Sequence, residues 1–224
     1  MRLIDPVPVD RRPAQLALLL GGLALYGVSV GMMLRAGLGQ MPWGVLDQGV
    51  AGVLGVEVGT GSILVGAVVL LLWVPLRRRP GLGTLCNVVL IGLAINATLA
   101  LLPAPDALAA RIPLLLAGVL LNAVATCAYI GAGLGAGPRD GLTTGLAARG
   151  HSVRVVRTTI ELLVLGIGWL LGGTIGVGTV LYAAAIGPLM HSMLPVFRLR
   201  DGSVPAVTVP PASTVPPAST VTPG

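Results

Sequence analysis

Six times along this chain a stretch of about twenty mostly apolar residues recurs, and no other feature limits its fold so severely. The stretches are Ala14–Leu34, Val58–Leu76, Thr84–Leu102, Ile112–Ala132, Thr158–Val177 and Gly178–Phe197. A helix rises about 1.5 Å per residue, so each can cross a hydrocarbon core about 30 Å thick. No water is available there to satisfy an open backbone, and helices this apolar have nowhere else to go. Charged residues make up 10% of the chain, against about 25% in soluble domains. The expected fold is therefore all-α and polytopic, with about six transmembrane helices. The first stretch is too long for the core of a cleaved signal and lacks a convincing cleavage site, so it is expected to be retained as a span.

Every basic side chain is arginine, and the fourteen of them sit at the ends of the apolar runs. With the amino terminus inside, twelve fall on the cytoplasmic side and only Arg35 and Arg111 fall outside. Arg77, Arg78 and Arg79 would have to be translocated in the opposite orientation, which the positive-inside rule disfavours. Both termini are thus expected in the cytoplasm. The formal charge of +6 is explained by topology and anionic headgroups, not by nucleic acid. The predicted organisation is a cytoplasmic segment 1–13, a three-helix membrane repeat 14–102, an outer connector 103–111, a second three-helix repeat 112–200 and a disordered cytoplasmic tail 201–224. The tail contains Val-Pro-Pro-Ala-Ser-Thr twice, at Val209–Thr214 and Val215–Thr220, a composition with little to bury. Cys86 and Cys127 lie within apolar runs and imply neither a disulfide framework nor a metal site.

The halves repeat. Ala36-Gly-Leu-Gly-Gln-Met-Pro42 matches Ala132-Gly-Leu-Gly-Ala-Gly-Pro138 at an offset of 96. The match continues through Leu46 with Leu142 and Gly49 with Gly145. After a slip of one residue, Gly81-Leu-Gly-Thr84 matches Gly176-Val-Gly-Thr179, and Gly92 matches Gly187. Three crossings per half would insert the second half upside down. The charges agree. Arg77–Arg79 have no charged counterpart around Leu171, Gly172 and Gly173, whereas the second glycine-proline segment carries Arg139, Arg149, Arg154 and Arg157.

Ala-Gly-Leu-Gly-x-x-Pro is poor helix material, so the helices before it should stop near Arg35 and Ala132. Gly44–Leu54 and Gly141–Ala148 then read as short helices, either dipping into the membrane or lying at its surface as connectors. Breaks of this kind surround the substrate in inverted-repeat transporters, and the free amides that open each short helix would favour an anion. The candidate pathway residues are Pro42, Trp43, Asp47, Asn96, Pro138, Arg139, Asp140, Glu161 and His191. Asp47 and Asp140 could serve coupling or helix capping. Glu161 is spaced to pair with Arg157, and Asn96 aligns with His191 such that both could face a shared interior, or each make an interhelical hydrogen bond.

Arg35-Ala-Gly-Leu-Gly with Pro42-Trp43, Pro80-Gly-Leu-Gly-Thr84, Gly137-Pro-Arg-Asp-Gly-Leu142, and Val153-Arg-Val-Val-Arg157 leading to Glu161 resemble the YczE-like group of small bacterial membrane proteins, loosely related to the YitT-like ones. The similarity runs from about Leu16 to Arg198. It implies a bacterial cytoplasmic membrane protein without an established general activity. The residue after Pro-Trp is usually acidic in that group and is Gly44 here, so Asp140 is the carboxylate that carries over. The expected function is carriage of a small solute between two inverted repeats, with the lipid bilayer and that solute as partners. A membrane scaffold is the alternative, docking on a second copy or another membrane protein through Gly27-x-x-x-Gly31 and Gly168-x-x-x-Gly172. Catalysis is not expected. Gly27-Val-Ser-Val-Gly31 imitates a hydrolase motif, but Ser29 falls inside a long apolar helix and not at a strand-to-helix turn. No P-loop, zinc-protease or dinucleotide motif is present, so no cofactor and no metal is expected.

Overall fold

The computed structural model describes residues 12–135 and 137–197. The expected amino-terminal segment, up to residue 11, and the tail beyond residue 197 lie outside the described residues. Within them the chain is helical throughout, with eight helices and no strand: α1 (Arg12–Ala36), α2 (Pro42–Leu54), α3 (Val58–Trp73), α4 (Leu82–Leu101), α5 (Leu108–Gly131), α6 (Pro138–Ala147), α7 (Val153–Leu170) and α8 (Val177–Phe197). The glycine-proline segments end α1 and α5 where expected, and Pro42 and Pro138 each open the helix that follows. Proline suits that position because its missing N–H would have no partner in the first turn anyway.

By length and composition, α1, α4, α5 and α8 can each cross a membrane. α2 and α3 together qualify as a fifth span, bent by 108° where Gly55 takes a left-handed φ of 65°. The helical sites of all six expected spans are occupied, but the crossings established this way number four or five. α7 carries Arg154, Arg157 and Glu161 within 18 residues. The expected fifth span, Thr158–Val177, is also misplaced. Its helix begins five residues earlier and stops at Leu170, because Gly172 adopts φ 94° and Gly173 closes a turn onto the Gly168 carbonyl. Outward-facing residues such as Leu71, Leu101, Val180 and Val196 are at least two-thirds exposed, an apolar exterior that suits lipid and not water.

α1 and α5 form the centre, with α4 on α1 and α8 on α5. Leu19, Leu23, Met33, Ile91, Ile95, Leu115 and Val119 make the core between them. Hydrocarbon solvates leucine as well as another helix does, so such contacts depend on close backbone approach. Gly22 meets α5 at Tyr129, while Gly27 and Gly31 lie against Ala94 and Thr98 of α4. The Gly27–Gly31 face read as a docking surface is therefore consumed inside the molecule. Gly168 is consumed likewise, packed on the Val45–Leu46 backbone of α2.

The loops after α1 and α5 share a conformation. Gly37 and Gly133 have φ of 60° and 67°, and Gly39 and Gly135 have φ of 114° and 124°. Each loop receives the start of a helix from the other half: the Gly178 amide donates to the Leu38 carbonyl (2.8 Å), and the Gly83 amide to the Leu134 carbonyl (2.9 Å). These are the pairs that the sequence offsets align. α2 packs on α7 and α6 packs on α3 in the same exchanged manner. One pairing departs from this pattern. α3 lies tightly on α4, where Gly59 and Gly92 bring their backbones together and the Gly59 amide donates to Asn96 Oδ1 (2.7 Å). α7 and α8 form no comparable interface, and a side chain built on Gly187 would meet nothing within 4 Å.

Candidate functional site

The gap between α7 and α8 is a cavity of about 490 Å³, closed at its inner end by the starts of α2 and α6 and walled by α1, α4 and α5. It lies where two broken segments meet. Trp43 and Arg139, each directly after its proline and 96 positions apart, touch one another, with the guanidinium 4.9 Å from the ring centroid. The loop geometry that exposes the first turn of each short helix is what brings them together. Arg139 is held from behind as well: its Nη2 donates to Asp47 Oδ2 (2.7 Å), and Ser62 Oγ donates to the same oxygen (2.8 Å). Asp47 is one turn beyond Gly44 on the same face of α2, so the first half still supplies a carboxylate, set deeper.

The neighbouring carboxylate, Asp140, lines the cavity and accepts from the Tyr129 hydroxyl at 3.2 Å. Among the described residues it has no cationic partner within 4 Å. Arg157 Nε pairs with Glu161 Oε1 at 2.9 Å, the i to i+4 contact their spacing suggests. Tyr182 donates to Asn122 Oδ1 (3.0 Å), Asn122 Nδ2 donates to Ser29 Oγ (2.8 Å), and Ser29 donates to the Tyr26 carbonyl (2.6 Å). This chain ties α8, α5 and α1 behind the cavity and engages Ser29 fully, midway along a helix. Trp73 Nε1 fixes the start of α6 by donating to the Pro138 carbonyl (3.0 Å).

Of the nine residues read from the sequence as a pathway, Pro42, Trp43, Pro138, Arg139, Asp140, Glu161 and His191 line this one cavity. Asp47 stands immediately behind it through Arg139. Asn96 does not belong: it accepts from the Gly59 amide and donates to Thr60 Oγ1 (3.3 Å), sealing α3 to α4, and so shares no interior with His191. Neither Asp47 nor Asp140 caps its helix, since both short helices start without a side-chain cap. The expectation of an anion at the helix starts also meets an obstacle, because Asp140 already fills the first turn of α6 with negative charge. Sequence reasoning missed Tyr26, Tyr129 and Tyr182, which all line the cavity. The signal was their rarity: they are the chain's only three tyrosines. Among the described residues no group of three or more His, Cys, Asp or Glu could hold a metal ion.

Comparison with known proteins matches residues 13–195 to a family of unknown function, DUF6198. An uncharacterized protein of Haemophilus influenzae is 42% identical over 180 residues, covering 80% of this chain and 83% of that one. The uncharacterized membrane protein YczE of Bacillus subtilis is 36% identical over 172 residues, covering 76% and 80%. YyaS of the same organism, also uncharacterized, is 26% identical over 182 residues, covering 78% and 90%. No solved structure matches.

Proposed function

This chain belongs to the YczE-like family of unknown function DUF6198, a family that includes membrane proteins, and on that footing we propose that it is a carrier of a small solute, with the cavity between α7 and α8 as its binding site. The observation that carries this reading is a cavity of about 490 Å³, mixed apolar and charged in its wall, where two proline-opened half-helices converge from the two halves of the chain. Non-helical backbone at membrane depth is tolerated where it lines such a space.

The reading takes the two halves as inverted repeats of three crossings each, with both termini on the cytoplasmic side of a bacterial inner membrane. The exchanged loop contacts support it, as does the arginine distribution. The tight α3–α4 pair and the parted α7–α8 pair are then the same pair in two states. Exchanging those states closes the cavity on one side and opens its counterpart on the other, which is how inverted repeats give alternating access. His191 and Leu194, near the end of α8, line the cavity, and in this scheme that end of α8 is the cytoplasmic one. The role is non-catalytic, and Ser29 has a packing and hydrogen-bonding duty instead.

The test is flux into liposomes containing the purified protein, with a panel of small anions, amino acids and protonated amines. Gly187→Leu supplies the decisive comparison, because its side chain enters the gap between α7 and α8 without meeting a neighbour. Replacing a helical glycine also gains about 1 kcal/mol of helix propensity. The expected result is at least tenfold loss of flux with no fall in melting temperature. Absence of any flux above protein-free liposomes, or full flux in Gly187→Leu, overturns the carrier reading.

A further inference from the structure

The cavity's charges do not balance. Arg139 pairs with Asp47 at 2.7 Å and Arg157 with Glu161 at 2.9 Å; Asp140 feels both guanidiniums at longer range, but its hydrogen-bond donor among the described residues is the neutral Tyr129 hydroxyl. Counting Asp47 behind the wall, three carboxyl groups stand against two guanidiniums. Asp140 is half-buried in the wall, and a partly desolvated carboxylate outside an ion pair favours a cation beside it. The rest of the wall is suited to such a cation. Tyr26, Tyr129 and Tyr182 line the space, Tyr26 and Tyr129 in edge-to-face contact with each other, and aromatic rings attract positive charge, whereas the ring of Trp43 is already covered by Arg139. A metal ion is a poor fit, because among the described residues no group of three or more His, Cys, Asp or Glu stands there to hold one. The volume is that of a small organic molecule.

We propose that the cavity between α7 and α8 binds an organic cation, an alkylammonium or guanidinium group, which pairs with Asp140 against the three tyrosine rings. This deepens the carrier reading by naming its substrate class, and it reverses the anion preference that the helix starts alone would suggest. The same headgroup chemistry occurs in free amines and in phosphatidylethanolamine, since the parted helices leave a side of the cavity open.

Calorimetric titration of the full-length protein in phosphatidylglycerol nanodiscs tests it, with guanidinium, ethanolamine and acetate as the probes. Saturable binding of guanidinium or ethanolamine and none of acetate is expected. Asp140→Asn should weaken that binding at least tenfold, with Asp140→Glu restoring it to within about threefold of the native protein. Where Asp140→Asn does not fold, Arg157→Gln answers the question independently: it frees Glu161, adds a negative charge to the wall and should tighten cation binding at least threefold. Acetate binding that disappears in Arg157→Gln overturns the proposal, as does cation binding unchanged by Asp140→Asn, or no binding of any probe. Adding phosphatidylethanolamine to the nanodiscs separates the sources, for competition with ethanolamine assigns a lipid headgroup and its absence a soluble amine. Cations that bind but never cross liposomes leave this proposal standing and remove the carrier; anions that both bind and cross do the opposite.

Discussion

Glycine does its work here by what its missing Cβ allows to approach. Gly168 and Gly166 sit two positions apart on α7 and face opposite ways. A Cβ on Gly168 would lie 2.5 Å from the Leu46 nitrogen, against backbone that cannot turn aside, whereas one on Gly166 would meet nothing within 4 Å. Gly168→Ala should therefore destabilise the protein by about 1–3 kcal/mol through overpacking. Gly166→Ala should be neutral or stabilising by up to about 1 kcal/mol, since alanine is the better helix former. Reversible SDS titration in mixed micelles separates the two, and equal effects would mean that α2 and α7 are not in contact. Gly39 and Gly176 show the other use of the residue. They abut one another, and Gly39 holds φ 114°, so there a side chain is excluded both by conformation and by space.

At the scale of elements, the short helices α2 and α6 are joined by charge. Asp47 belongs to α2 and Arg139 to α6, and Ser62 of α3 completes the set. Removing one member of a buried pair leaves the other uncompensated, which costs about 3–5 kcal/mol. The Arg139 side chain keeps 24% of its exposure, so Arg139→Gln should fall at the low end of that range. The double variant Asp47→Asn with Arg139→Gln should be more stable than the sum of the singles by about 1–3 kcal/mol. Strict additivity in the same SDS titration would show that the two half-helices are not coupled through this pair. Elsewhere arginines close helix ends: Arg111 donates to the Ala36 and Gly37 carbonyls at the end of α1, and Arg149 to the Pro75 carbonyl beyond α3. Lysine could not replace the two-carbonyl contact of Arg111, because it lacks the planar fork.

For the molecule as a whole, the proposed inverted insertion of the two halves has a direct readout. With Cys86 and Cys127 replaced by Ala, single cysteines at Val56 and His151 occupy the exposed turns that follow α2 and α6. Val56→Cys should react with a membrane-impermeant maleimide from outside intact cells. His151→Cys should react only after permeabilisation. Labelling of both from the same side would remove the opposed insertion of the halves, and with it the exchange of states between the α3–α4 and α7–α8 pairs.

Sequence alone determined the membrane setting, the helical class, the two breaks at Pro42 and Pro138 and the recurrence of the loop motif, because apolar length, proline geometry and glycine spacing act along the chain and are visible in one dimension. It also pointed to seven of the residues that line the cavity, five of them at the prolines or within two positions after them, where the break must expose them. Tertiary structure decided the rest. Asp47 reaches Arg139 across 92 positions, three scattered tyrosines converge, and Asn96 turns away from His191 to seal α3 against α4. Gly92 and Gly187 are equivalent in the sequence, yet one is packed and the other faces open space. Such differences depend on which faces of distant helices meet, and a helix surface that is apolar and rich in glycine on several sides does not declare in advance which side it will use.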